Sequence, residues 1–258
     1  MQFGLCTGID GLAVAEKAGF DYIEPPVANL MPDKPEPEFQ KNKAQALSGR
    51  IQARAFNCFI PGNLKVTGPD ADLEALKAYV ESAARRAASI GADVIVFGSG
   101  GARRVQDGFP VDDAMKQVQE FLRAIAPIAA DARVTIAIEP LNRRECNIIN
   151  SVNEGCDLAR QVNHPAVKAL ADLYHIGQES ESYENTSAAG SLLAHVHIAH
   201  PATRHCPLPD DGCDYGAFFR ALKAAHYSGR ISFECGWDDL TTEAPISLDY
   251  LRKEWARA

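Results

Sequence analysis

The chain has 258 residues, which allows one or two domains, or a single closed α/β barrel of roughly 250 residues. Lys and Arg number 26 against 34 Asp and Glu, so the formal net charge is −8, a balance that opposes a nucleic-acid partner. With 46% apolar and 23% charged residues the composition is that of a globular protein, which disfavours disorder and coiled coil.

Seven cysteines are scattered without a CxxC pair, which fits a reduced, cytoplasmic setting better than a disulfide framework. The first ten residues carry no basic segment ahead of a long apolar one, so no signal peptide is expected. No run of about 18 apolar residues occurs, so no membrane span is expected.

Short apolar runs alternate with longer amphipathic ones along the whole chain. The runs are Phe3–Cys6, Tyr22–Ile23, Ile51–Phe56, Val94–Phe97, Val134–Ile138, Val167–Ala171, Ala194–Ile198 and Ile231–Phe233. Their near-unbroken apolar or small character suits strands covered on both faces, as in a parallel sheet. Helix candidates follow in order: Asp10–Ala18 before Gly19, Glu36–Ser48 before Gly49, a segment from Asp70 to Gly91, and Asp112–Ala130. Next come Ser151–Val162, where Ser151 and Glu154 form a capping box, then the polar Gln178–Leu193 interrupted by Gly190, Tyr215–Ala225 and Ile246–Trp255. Glycine just past a helix end supplies the left-handed residue that stops it. Eight strand–helix units imply parallel strands with right-handed crossovers. The reading is a single (β/α)8 TIM barrel over residues 1–258. An open doubly wound sheet is the alternative, and the absence of GxGxxG after the first strand opposes it.

In this barrel the chemistry sits where strands run into the loops that follow them. Four consecutive strands each deliver a polar group there: Glu139 after Ile136-Ala137-Ile138, Asp172 after Ala169-Leu170-Ala171, His197 within His195-Val196-His197, and Glu234 after Ile231-Ser232-Phe233. Their spacing is that of one βα unit, about 30 residues, so all four fall on one rim. Three carboxylates brought together repel, and burying one unpaired is costly. A divalent cation resolves the conflict, and an oxygen-rich set with one imidazole suits Mn2+, with Mg2+ and Co2+ as alternatives, better than a structural zinc. The bound set would keep about one net negative charge, favouring a neutral chelating polyol over a polyanion. His195 is assigned to the opposite face of its strand from His197, as a packed or hydrogen-bonded histidine. Glu24, ending the second strand, is either a pocket residue or a surface charge.

The segments Ile138-Glu139-Pro140-Leu141-Asn142-Arg143, Asp172-Leu173-Tyr174-His175, His195-Val196-His197-Ile198 and Phe233-Glu234-Cys235 resemble the xylose isomerase-like sugar isomerases and epimerases, nearest to the ketose 3-epimerases. The resemblance implies that Glu139, Asp172, His197 and Glu234 hold one metal ion. It implies that Glu139 and Glu234 divide the acid and base work of moving a proton next to a ketose carbonyl, through an enediolate. It also implies substrate contacts for Glu145 and His175, with a homodimer or homotetramer as the assembly. Where that family usually has a substrate-binding arginine this chain has Thr203, and Arg204 follows one residue later as the candidate. The family's Glu-Pro at strand eight is Glu234-Cys235 here.

Two secondary features complete the reading. Gly98-Ser99-Gly100-Gly101-Ala102-Arg103-Arg104 is either an anion-binding nest of backbone amides or a turn with solvated arginines. Asn57-Cys58-Phe59 is a candidate pocket wall. Three other functions are weighed: a keto-sugar or inosose dehydratase using the same site, an abasic-DNA endonuclease of the same superfamily, and a non-catalytic sugar-binding barrel. The acidic balance and four-ligand set oppose the endonuclease, and the intact ligand set opposes the non-catalytic barrel.

Overall fold

The computed structural model describes residues 1–258. Its strands are β1 (Gln2–Cys6), β2 (Tyr22–Glu24), β3 (Ala55–Phe56), β4 (Val94–Phe97), β5 (Thr135–Ile138), β6 (Val167–Asp172), β7 (Leu193–Ile198) and β8 (Arg230–Phe233). All neighbours pair in parallel, in the order β2-β1-β8-β7-β6-β5-β4-β3. The two ends of that order also meet. Ile23 N–H donates to Gln52 O at 3.1 Å, Arg54 N–H to Ile23 O at 3.2 Å and Asn57 N–H to Pro25 O at 3.0 Å, so the sheet curls into a nearly closed barrel.

The helices are α1 (Leu12–Ala18), α2 (Glu36–Ala46), α3 (Leu73–Ile90), α4 (Gly100–Arg103), α5 (Val111–Asp131), α6 (Val152–Val162), α7 (Leu173–Gln178), α8 (Tyr183–Ala189), α9 (Tyr215–Ala224) and α10 (Leu240–Arg257). Local chemistry marks their ends. Ser151 caps α6 by accepting from Glu154 N–H at 3.1 Å, and Asp72 caps α3 by accepting from Ala75 N–H at 3.0 Å. Gly19 and Gly91 end α1 and α3 in the left-handed region. No helix is long and apolar enough to cross a membrane.

Strand alternation splits the core in two. Outward residues such as Phe3, Leu5, Ile23, Ile95, Phe97, Ile136, Ile138, Val196 and Phe233 join one large cluster with the helices. Of the inward residues, Ala55, Val94, Val96, Ala137 and Leu170 form a small apolar cluster. Five further inward positions, on β2, β7 and β8, are polar and buried: Tyr22, Glu24, His195, His197 and Ser232. Gly4 on β1 makes room for them, since a Cβ there would lie 2.2 Å from the Tyr22 ring.

Three elements differ from the sequence expectation. The third strand was expected over Ile51–Phe56, yet only Ala55–Phe56 forms a ladder, with an isolated bridge at Ala53. The segment expected as one helix over Gln178–Leu193 is divided: Asp172 caps α7 before it, Ser182 caps α8 within it, and Gly190 at φ 53° closes α8 before β7. The last helix begins at Leu240, capped by Asp239, and runs through Pro245. The expected start was Ile246; instead Pro245 lies inside the helix, where it forgoes one backbone hydrogen bond without ending it.

Candidate active site

Positions of one parity on each strand point into the barrel, and the rim groups share that parity. Glu24 follows Tyr22 by two residues, Asp172 follows Leu170, His197 follows His195, and Glu234 follows Ser232. Glu139 likewise continues Ala137. Glu139, Asp172, His197 and Glu234 therefore converge, each offering a ligand atom, and these atoms all lie within 4.8 Å of one another. From His197 Nδ1 the nearest carboxylate oxygens are Glu139 Oε1 at 3.0 Å, Glu234 Oε2 at 3.7 Å and Asp172 Oδ2 at 3.8 Å. The glycine at position 98 belongs to this geometry, because a Cβ there would stand 2.1 Å from Glu139 Oε2.

The donor set fits a divalent ion. Asp172 Oδ1 caps α7 through Tyr174 N–H at 2.7 Å, whereas Oδ2 is buried and has no hydrogen-bond partner. A buried carboxylate oxygen aimed at two other carboxylates needs a positive charge. His197 Nε2–H donates to Glu24 Oε1 at 2.7 Å, which leaves Nδ1 turned to the cluster. A carboxylate behind a ligating imidazole is the usual arrangement at metal centres.

Without an ion the charges strain against each other. Burial, with repulsion from Glu139 and Asp172 and against the pull of His197 and Arg204, pushes the Glu234 carboxyl up to about 8. Burial acts the same way on Glu139, but the His197 hydrogen bond and charge, aided by His175 and Arg103, bring it below the ordinary value. Burial disfavours protonated His197, yet Glu24, Glu234 and Glu139 carry its pKa well above that of a free imidazole.

The three outer residues also meet here. His175 Nδ1 accepts from Asn142 N–H at 3.1 Å, so its Nε2 carries the proton, and Nε2 is buried with no partner. Arg204, left-handed at φ 60°, donates to Glu234 Oε2 at 2.6 Å and Glu145 Oε1 at 3.1 Å. Its guanidinium lies 4.8 Å over the Tyr174 ring. Thr203 instead contacts His200 through its hydroxyl at 3.1 Å. Arg204 thus reaches Glu234 and Glu145 from the position after Thr203.

His195 requires a correction. It does not oppose His197: residues two apart on a strand share a face, and both rings turn inward, 5.3 Å apart. The hydrogen-bonded part of the expectation holds, since His195 Nε2–H donates to Glu24 Oε2 at 2.7 Å. Burial lowers the His195 pKa, against the pull of Glu24, so the ring is neutral. Glu24 is wholly buried and no surface charge: its two oxygens accept from both histidines, and Ser232 Oγ–H and Tyr22 OH extend the chain of bonds. Burial raises the Glu24 carboxyl, but the two histidines outweigh it and hold it ionised.

Arg103 is neither an anion ligand nor a solvated charge. It is fully buried, donating to Phe97 O at 2.7 Å and Glu139 O at 2.6 Å, and so ties the ends of β4 and β5 under the carboxylate. The glycine-rich stretch forms the short α4. Cys58, at φ 49°, is exposed as a residue, while partial burial of its thiol, followed by the charges of Glu234 and Glu139, pushes that group up to about 11. The supporting roles of Glu24, Asn142 and Gly98 at the site are not part of the sequence reading. Parity with Tyr22 was the available signal for Glu24; nothing local marks the other two.

A sequence profile of xylose isomerase-like TIM barrels matches residues 12–254. The chain belongs to that family. Its relatives include L-ribulose 3-epimerase of Methylomonas sp., 35% identical over 114 residues, 44% of this chain and 39% of that one. The 3-dehydro-D-guloside 4-epimerase of Escherichia coli is 29% identical over 126 residues, 48% of this chain and 47% of that one. The matched segment thus spans less than half the length of either relative. The D-psicose 3-epimerase of Clostridium cellulolyticum H10, solved with D-tagatose, superposes on this family member with a TM-score of 0.86 over 99% of each chain, at 22% identity. That likeness is one of fold.

Proposed function

We propose that this barrel is a divalent-metal-dependent sugar epimerase that moves a proton on the carbon beside a ketose carbonyl, as a ketose 3-epimerase does. The observation that carries the reading is the convergence of Glu139, Asp172, His197 and Glu234 within 4.8 Å, with Asp172 Oδ2 buried and unpartnered. The epimerase names of the sequence relatives support it.

Glu139, Asp172, His197 and Glu234 would hold the ion, with Mn2+ preferred by the hard oxygen set. When bound, the ion supplies Lewis-acid stabilisation of the negative charge that develops on the sugar oxygens. One of Glu139 and Glu234 takes the proton from one face of the sugar, and the other returns a proton to the opposite face, inverting that carbon. Positioned groups of this kind contribute typically 10²–10⁴-fold each. His175 offers its free Nε2–H to the oxygen where charge grows. Arg204 holds Glu234 in place and, with Glu145, presents polar groups to the sugar hydroxyls.

A panel of ketoses and keto-sugars assayed in D2O with each divalent ion tests the reading. The expected result is an epimeric product carrying deuterium at the inverted carbon, with activity lost on metal removal. Glu139→Gln and Glu234→Gln should each lower turnover by at least about 10²-fold. Product without deuterium, or wild-type rates in both variants, would remove the two-glutamate proton transfer. Loss of water with a new enone absorbance would assign the site to a dehydratase instead.

A further inference from the structure

Beside the rim lies a second group of metal-ligating side chains that the proton transfer does not use. His205, Cys206 and Glu243 each offer a ligand atom, and these lie within 4.8 Å of one another. His205 and Cys206 directly follow Arg204 in the loop after β7, and Glu243 stands in the first turn of α10.

Glu243 is fixed by its own helix. Its Oε2 accepts from the backbone N–H groups of Asp238 at 2.8 Å and Asp239 at 3.1 Å. Its Oε1 faces His205 Nε2 at 3.7 Å, and Asp238 Oδ2 lies 3.7 Å from the same nitrogen. His205 Nε2 is shielded from solvent yet has no hydrogen-bond partner. A separation of 3.7 Å is too long for a hydrogen bond. It is near the spacing of two ligands on one ion, since bonds of about 2.0–2.1 Å at a tetrahedral angle part N and O by about 3.4 Å. Cys206 is buried and adds a sulfur, its ligand atom within 4.8 Å of those of His205 and Glu243.

We propose that His205, Cys206 and Glu243, with Asp238 as fourth ligand, form a second cation site for a thiophilic ion of the zinc type, separate from the oxygen-rich centre. The mixed nitrogen, sulfur and oxygen set is one that zinc takes, whereas Mn2+ and Mg2+ prefer oxygen. Binding exchanges the Cys206 thiol proton for the ion, releasing one proton to solvent. The ion braces the loop that carries Arg204. That loop is already laced to the segment after β8, with Gly236 N–H donating to Arg204 O at 2.8 Å and Cys206 N–H to Gly236 O at 2.9 Å. The ion would fasten it to the start of α10 as well.

Cobalt distinguishes the two centres, because only the second contains sulfur. Titrating the metal-free full chain with Co2+ should bind two equivalents, one of them bringing a near-ultraviolet thiolate-to-cobalt band. Cys206→Ala should lose the band and one equivalent while keeping the other. Glu139→Gln should keep the band. Should Cys206→Ala not fold, His205→Ala, at a partly exposed position, should weaken the band-forming equivalent at least tenfold. A single equivalent without the band, or a band that survives loss of Cys206 or is unmoved by loss of His205, overturns the second site.

Discussion

Glu24 holds the polar half of the barrel interior together. Both its oxygens are committed to histidines at 2.7 Å, one of which is the imidazole of the candidate metal centre. Accepting from His197 Nε2–H fixes the tautomer and leaves the Nδ1 lone pair for an ion. An amide in its place keeps the shape but loses the charge and can present the wrong group. Glu24→Gln should therefore weaken ion binding about 10–100-fold, the range typical for such supporting partners. Competition with a chelator measures it, with Ser232→Ala as the control that removes only an outer link. Equal ion affinity in Glu24→Gln and wild type would reduce Glu24 to a packing residue.

At the scale of elements, Asp172 serves both a helix and the site. Oδ1 caps α7, while Oδ2 enters the cluster. The two duties separate by substitution, because asparagine caps a helix as well as aspartate does but brings no charge. Metal-free Asp172→Asn should melt at or above the wild type, since one mutually repelling carboxylate is gone, yet divalent ions should no longer raise its melting temperature. Asp172→Ala loses the cap too and should be less stable than the asparagine variant by about 0.5–2 kcal/mol. Thermal melts with and without Mn2+ read both effects, and a full ion-induced shift in Asp172→Asn would exclude Asp172 as a ligand. The same residue shows what could be read in advance. A polar group closing an apolar run is visible as a strand end, and Glu139, Asp172 and Glu234 stand out that way, whereas His197 lies within its strand. What a strand end does to its neighbours is not visible. The cap on α7, the carbonyl pair under Arg103 and the two-way grip of Glu24 join residues distant in sequence, as with Glu24 and His195, 171 positions apart. His195 is a different case: the period of two was in the sequence and places it inward beside His197.

Across the whole molecule, the crowded charges make stability depend on pH and on the ion together. Glu234 holds its proton up to about 8 in the folded chain against an ordinary 4.5. Between those values the folded state binds more protons than the unfolded one, so stability falls as pH rises. His197 acts in the same direction, because its folded pKa also stands above its free value. Glu24 and Glu139, shifted downward, contribute the opposite slope, but only below the ordinary carboxylate range, where the unfolded chain takes up protons. A divalent ion supplies the positive charge that the protons otherwise provide, and it binds only the folded state, which raises stability by mass action. The ion also competes with those protons, so its effect grows as they leave. Melting temperatures measured with chelator and with Mn2+ from about pH 5 to pH 8 should therefore diverge. The metal-free curve should fall with pH while the loaded one stays level or rises. Parallel curves would mean that the ion does not displace the Glu234 proton, and with it would go the claim that these four side chains form one centre.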